Sequence, residues 1–166
     1  MRLVIIGNSG SGRTWLATRL GTKVAAPVVH LDEIFWLPGG FNEKRPTSQV
    51  MALVDLKRAG ERWISEGVYG NLARQFMLCA PSLVWLDPPW EVCRLRLESR
   101  GSESNAHMGR EQSEEGLRQL VEWAQSYGSR QGSSGRAAHL ALFESFNGPR
   151  VKLDSERQVL EYLQAA

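Results

Sequence analysis

The sequence has no long apolar run. After one early basic residue, only Leu3, Val4, Ile5 and Ile6 precede Gly7. That is too short for the apolar region of a signal peptide or for a membrane span of about 20 residues. It also lacks an excess of either charge: 20 basic and 18 acidic residues leave a net charge of +2. Such a balance gives no electrostatic footprint for nucleic acid. Cysteine is scarce, with Cys79 and Cys93 alone in the chain. Both stand in apolar, helix-like contexts, which fits buried thiols in a reducing compartment better than a disulfide scaffold. No repeat and no linker is visible. These absences leave a soluble, cytoplasmic chain with no membrane or nucleic-acid partner expected. Its 166 residues suit one domain over 1–166 with a proper core.

Several short apolar runs read as buried strands, at 3–6, 27–31, 62–65, 82–86 and 150–153. Helix-like stretches lie between them, at 14–21, 47–59, 90–100, 113–127 and 155–164. Alternation of this kind predicts an α/β fold with a parallel sheet covered on both faces. Two Gly/Ser-rich segments, 101–110 and 128–135, break the helical pattern and read as mobile loops. In such sheets ligands bind beyond the carboxyl ends of the strands. Residues 7–14, 32–36, 66–71, 87–90 and 154–156 are therefore the ones to inspect.

The first strand end reads "GNSGSGRT": Gly7, Asn8, Ser9, Gly10, Ser11, Gly12, Arg13 and Thr14. Glycines let the backbone curl so that successive N–H groups point inward at phosphate oxygens. The following helix adds the positive end of its dipole. Thr14 is placed to offer its hydroxyl to a phosphate-bound Mg²⁺. A ligand-free glycine turn is the plain alternative, but an apolar strand before the loop and a helical pattern after it favour phosphate. Arg13 stands where such loops carry lysine. Its charge is kept, while its planar fork differs from a compact ammonium. Phosphoryl transfer depends on positioning, so Arg13 alone favours binding over turnover.

The second strand end is "HLDEIFWLPGG". Asp32 there can accept a proton from an acceptor hydroxyl or help hold a metal; the alternative is a helix N-cap. Trp36 can stack on a base or sugar, or be partly buried core, and His30 reads as structural. The third, "RWISEGVYGN", offers Glu66 for a metal's water shell, against a surface turn, with Tyr69 and Asn71 as further contacts. The fourth, "LDPPWEVCRLRLESRG", puts Asp87 at a helix cap and Arg96 and Arg100 on one helix face. Two such arginines entering a flexible loop can clamp phosphate oxygens; a solvated basic face is the alternative. Arg130 and Arg136 either add a phosphate contact or are surface charge.

Taken together, "IIGNSGSGRT", "VVHLDEIFWLPG", "WISEGVYGNLA", "LVWLDPPWEVCRLRLESRG" and "GPRVKLDSERQVLEYL" resemble the adenylate-kinase-like branch of P-loop kinases. The nearest likeness is to a small bacterial group often described as adenylate kinase or DNA topology modulation protein, and it spans nearly the whole chain. The resemblance implies a three-layer P-loop NTPase fold with a five-stranded parallel sheet of order 2-3-1-4-5. It implies ATP with Mg²⁺, and a short lid at about 101–112. It maps Gly7, Gly10, Gly12, Arg13 and Thr14 to the phosphate loop, Arg96 and Arg100 to lid-entry arginines, and Asp32 to the acceptor side. Three departures stand out: Arg13 for lysine, Glu66 for a shorter acid, and a lid with Arg110 and His107 but no zinc pattern. The "HLDEIFW" stretch does not resemble an AMP site. Two readings follow, a kinase acting on a nucleotide-like or small hydroxyl acceptor and a nucleotide-binding regulator with little catalysis.

Overall fold

Successive residues of a strand face opposite ways, and in β1 (Arg2–Gly7) both sets are apolar from Leu3 to Ile6. Val4 and Ile6 enter one core, Leu3 and Ile5 another. A strand buried on both faces belongs inside a sheet with helices on either side. The computed structural model describes residues 1–39, 43–100 and 114–166. Along them β1 is followed by α1 (Arg13–Val24), β2 (Val28–His30), α2 (Leu31–Phe35), α3 (Thr47–Arg58) and β3 (Trp63–Gly67). Then come α4 (Gly70–Met77), β4 (Ser82–Leu86), α5 (Trp90–Arg100), α6 (Glu114–Gln125) and a 3-10 turn at Ser126–Gly128. The chain closes with α7 (Arg136–Ser145), β5 (Arg150–Leu153) and α8 (Glu156–Ala165). All pairings are parallel, and the strand order is β2-β3-β1-β4-β5, as expected.

One face of the sheet packs Leu16, Ala17 and Leu20 of α1 against Leu3, Ile5, Ile64, Val84 and Leu86, with Val159 and Leu163 of α8 alongside. The other packs Val54 of α3 and Leu72, Ala73 and Phe76 of α4 against Val4, Ile6, Trp63, Leu83 and Trp85. Each such side chain, once fully buried, contributes about 1.5–3 kcal/mol of transfer free energy. The two layers clamp β1 from both sides, which fixes the loop at its carboxyl end.

The structure departs from the sequence expectations in four places. The second strand is shorter than 27–31, because Leu31 already begins α2. Helices α2, α4 and α7 lie outside the helix-like stretches read from the sequence, where α2 entered only through the N-cap alternative for Asp32. Segment 128–135 is tied down: Ser133 O accepts from the Gly70 N–H at 3.0 Å and Ser126 O from the Arg130 N–H at 2.7 Å. Cys79 lies just past α4, not in a helix, and is half-buried, while Cys93 is buried on α5; both thiols are free. The expected loop 101–110 and lid 101–112, with His107 and Arg110, lie outside the described residues. Among the described residues no helix is long and apolar enough to cross a membrane.

Candidate active site at the carboxyl ends of the strands

The loop from Gly7 to Thr14 has the backbone of a phosphate cradle. Gly10 and Gly12 hold φ of 78° and 99°, a left-handed region costly for other residues. A Cβ on Gly10 would also stand 2.5 Å from the Cys93 carbonyl of α5, so only glycine lets helix and loop meet. Gly12 caps α1 without any side-chain acceptor, which leaves the first N–H groups of the helix for an anion. Ser11 Oγ and Arg13 Nη1 are buried there without an aligned hydrogen bond. A cavity of about 30 Å³ lies among Asn8, Gly10, Arg13, Thr14 and Arg100. Asn8 fixes the loop from outside, its Nδ2 donating to Ala124 O of α6 at 2.8 Å and its Oδ1 accepting from the Ser9 N–H at 2.8 Å.

Glu66, almost fully buried in β3, gathers three donors. Its Oε1 accepts from Thr14 Oγ1 at 3.1 Å and from His30 Nδ1 at 2.7 Å. Its Oε2 stands 3.2 Å from Arg13 Nη1, whose Nε donates to Asn8 O at 3.3 Å. Burial opposes protonation of His30, but the Glu66 hydrogen bond and charge, with Glu33 and Asp32, outweigh it and raise the pKa above 6.5. The surface-turn alternative for Glu66 is thus excluded. His30 supports a site carboxylate, a role that its place inside an apolar run hid. The register supplies the reason: His30 pairs with Glu66 across β2 and β3.

Asp32 sits in the first turn of α2, mostly buried, and His30 occupies the N-cap position, so Asp32 is not the cap. Tyr69, whose hydroxyl accepts from Trp36 Nε1 at 2.7 Å, stacks on Phe35 with centroids 4.3 Å apart. Burial first, then the Asp32 charge, pushes the Tyr69 pKa up, and Arg13 and Arg130 oppose it. These groups therefore share one electrostatic neighbourhood. Asn71 points to a different setting, exposed on α4.

Arg96 and Arg100 do share one region with the loop. Arg96 Nη1 donates to Ser11 O at 2.9 Å, and both arginines line a cavity of about 510 Å³ with Thr14, Trp15 and Val159. Partial desolvation, then repulsion by Arg96 and Arg13, lowers the Arg100 pKa. A cavity of that volume suits a small-molecule ligand. Trp15, which no sequence argument singled out, is 42% exposed and forms part of its wall. Its only signal is an aromatic directly after Thr14.

Asp87 is not a helix cap. It accepts from Arg136 Nε and Nη2, the latter at 2.7 Å, and pairs with Lys152 at 3.1 Å. Arg136 is thereby a structural cation. Behind it, His139 Nε2 donates to Val68 O at 2.8 Å, so its Nδ1 accepts from the Tyr127 hydroxyl at 2.7 Å, and that oxygen accepts from Trp85 Nε1 at 3.1 Å. Burial lowers the His139 pKa to about 4. Arg130 differs: its three guanidinium nitrogens are buried with no hydrogen-bond partner among the described residues.

The oxygen donors Thr14 and Glu66 fit a Mg²⁺ that arrives with a nucleotide. A hydroxyl donating to a carboxylate keeps its lone pairs for a cation, and Mg²⁺ is usually held by one or two protein oxygens plus phosphates and water. Among the described residues no cluster of three or more His, Cys, Asp or Glu could hold a metal by itself.

No family model matches the sequence, and no curated protein does. The fold is shared with solved P-loop kinases. A shikimate kinase from Bacteroides thetaiotaomicron aligns with TM-score 0.57 at 16% identity, over 99% of this chain and 95% of its own. A gluconokinase from Sinorhizobium meliloti 1021 aligns with TM-score 0.54 at 14% identity, over 98% and 86%. A shikimate kinase from Aquifex aeolicus gives 0.51 at 18%, over 99% and 95%. Identity this low speaks for the fold.

Proposed function

We propose that this chain is an ATP-dependent kinase that transfers the γ-phosphoryl group of ATP to a hydroxyl of a nucleotide-like or other small acceptor. The observation that carries the reading is the meeting of Thr14 and Arg13, from the phosphate loop, on the buried carboxylate of Glu66. Within P-loop kinases the sequence motifs favour the adenylate-kinase-like branch. The N–H groups of residues 7–14 would hold the phosphates, and the cavity walled by Trp15, Arg96 and Arg100 would take the base and sugar. Thr14 and Glu66 would hold Mg²⁺, which supplies charge neutralisation at the phosphates. Asp32 would accept the proton of the acceptor hydroxyl as its oxygen bonds to phosphorus and ADP leaves. Arg13, Arg96 and Arg100 would offset charge on the transferring group. A lid at 101–112 of this single domain would exclude water, and the cytoplasm would supply ATP and keep Cys79 and Cys93 reduced.

A second reading has its own observation. Arg13 is bent back onto Asn8 O and Glu66 instead of standing free over the cradle. A cation held there favours a nucleotide-binding regulator with little catalysis.

ATP consumption by the purified chain, with a panel of nucleosides, nucleotides, sugars and hydroxy acids, separates the two. The kinase reading expects acceptor-dependent turnover by the wild type and a changed rate in Arg13→Lys. Turnover by the lysine variant alone would establish the regulator. Absence of ATP binding in calorimetry would overturn both.

A further inference from the structure

Arg130 carries a charge that no acceptor among the described residues answers. Its Nε, Nη1 and Nη2 are all closed off from solvent, and none meets an acceptor among the described residues. The guanidinium lies instead over Trp123, Cζ 3.6 Å from the ring centroid, with the Tyr127 ring at 5.9 Å. Aromatic faces return only part of what a cation loses on leaving water. They leave five N–H donors unused, in the plane of a fork that matches oxyanions. The fold does pair arginines where they serve structure, as Arg136 does with Asp87 through Nε and Nη2. Burial lowers the Arg130 pKa to about 10, so the group stays charged at neutral pH.

Its placement is fixed. The backbone N–H of Arg130 donates to Ser126 O, and the turn that follows docks through Ser133 O on the N–H of Gly70. That contact sets Arg130 beside the β3 end, and Tyr69, the residue before Gly70, feels Asp32, Arg13 and Arg130 together. The unanswered cation is thus on the side of the sheet where the acceptor hydroxyl would meet Asp32.

We propose that Arg130 receives an oxyanion, carboxylate or phosphate, carried by the phosphoryl acceptor itself. The acceptor is then an anionic hydroxy compound and not a neutral alcohol. The oxyanion site stands on the geometry of Arg130; its assignment to the acceptor rests on the kinase reading above.

The test uses the full chain labelled with ¹⁵N-arginine, the Arg130 Nε–Hε resonance being assigned by its loss in Arg130→Met. Inorganic phosphate and acetate are titrated against chloride at matched ionic strength. Saturable movement of that resonance with phosphate or with acetate is expected, and which one moves it names the oxyanion. A resonance that ignores both, or follows chloride equally, overturns the site. In the turnover screen, Arg130→Met should raise KM for an anionic acceptor about tenfold, the loss of one charge-assisted contact, and leave KM for ATP unchanged, while Arg94→Met, the same change at an exposed arginine of α5, should alter neither. Turnover on a neutral acceptor, undiminished in Arg130→Met, overturns the assignment to the acceptor and leaves the kinase reading standing. Absence of any turnover removes the kinase reading and with it that assignment, while the resonance still decides the oxyanion site.

Discussion

An arginine in place of the loop lysine changes which partners that position can hold. Arg13 spans two of them, donating through Nε to Asn8 O and facing Glu66 through Nη1. A lysine ammonium gathers its donors at one point and cannot bridge both. Glu66 is in turn the shared acceptor of Thr14 and His30, so its charge answers more than one group. In Glu66→Gln the amide oxygen can still serve Thr14 and His30, but Arg13 keeps a buried charge with no counter-ion. Loss of one member of a buried pair should cost about 3 kcal/mol, read as a lower urea midpoint at unchanged slope. The same variant should weaken ATP binding more with Mg²⁺ than without it. An unchanged midpoint would mean that the pair contributes nothing to stability.

Among the elements, α5 and the glycine loop depend on each other through Gly10. Gly10→Ala would put a Cβ 2.5 Å from Cys93 O in a backbone region that alanine avoids. We expect a stability loss of about 1–3 kcal/mol from the strain and loss of measurable ATP binding in calorimetry. Wild-type affinity in that variant would show that the loop opens without α5. The strands and this loop were legible in the sequence because "LVII" is apolar at every position, "SLVWL" at all but its first, and glycine spacing has one strong meaning. The helices α2, α4 and α7 were not. Helix α2 has five residues, too few for a period, and α7 has no side-chain cap at Gly135 and follows a Gly/Ser segment that reads as loop. The candidate site residues near strand ends, Asp32 and Glu66, stand out in the sequence for the same reason as the strands. The partners that reach these carboxylates from other elements, His30 of β2 on Glu66 and Arg136 of α7 on Asp87, need the strand register and the docking of α7 before they can be seen.

For the molecule as a whole, the buried network of Tyr127, His139 and Trp85 makes stability depend on pH. The folded pKa of His139 is about 4 against an unfolded 6.5. A depressed folded value means that the unfolded chain binds the proton more readily. The stabilisation is therefore complete above 6.5 and is lost as pH falls through 4. Between pH 7 and pH 5 the loss should be about 2 kcal/mol by linkage. His30 has the opposite sign: its raised value gives stabilisation that is full below 6.5 and lost as pH rises through the folded pKa. Urea unfolding at pH 7 and pH 5 should show a net loss in the wild type. In His139→Gln that loss should vanish or reverse, since His30 remains. Equal slopes in the two proteins would remove His139 from the account.

The central place of β1 also has a consequence in time. It is the first strand of the sheet to be synthesised, yet its two neighbours are β3 and β4, paired through Trp63–Gly67 and Ser82–Leu86. At a synthesis rate of about 5–20 residues per second, roughly 4–16 s separate Gly7 from Leu86. Until β3 has been made the segment Leu3–Ile6, β-prone and uncharged, has no neighbour of its own sheet on either edge, and until β4 follows one edge stays open. The glycine loop that follows it cannot settle against Cys93 until α5 has been synthesised.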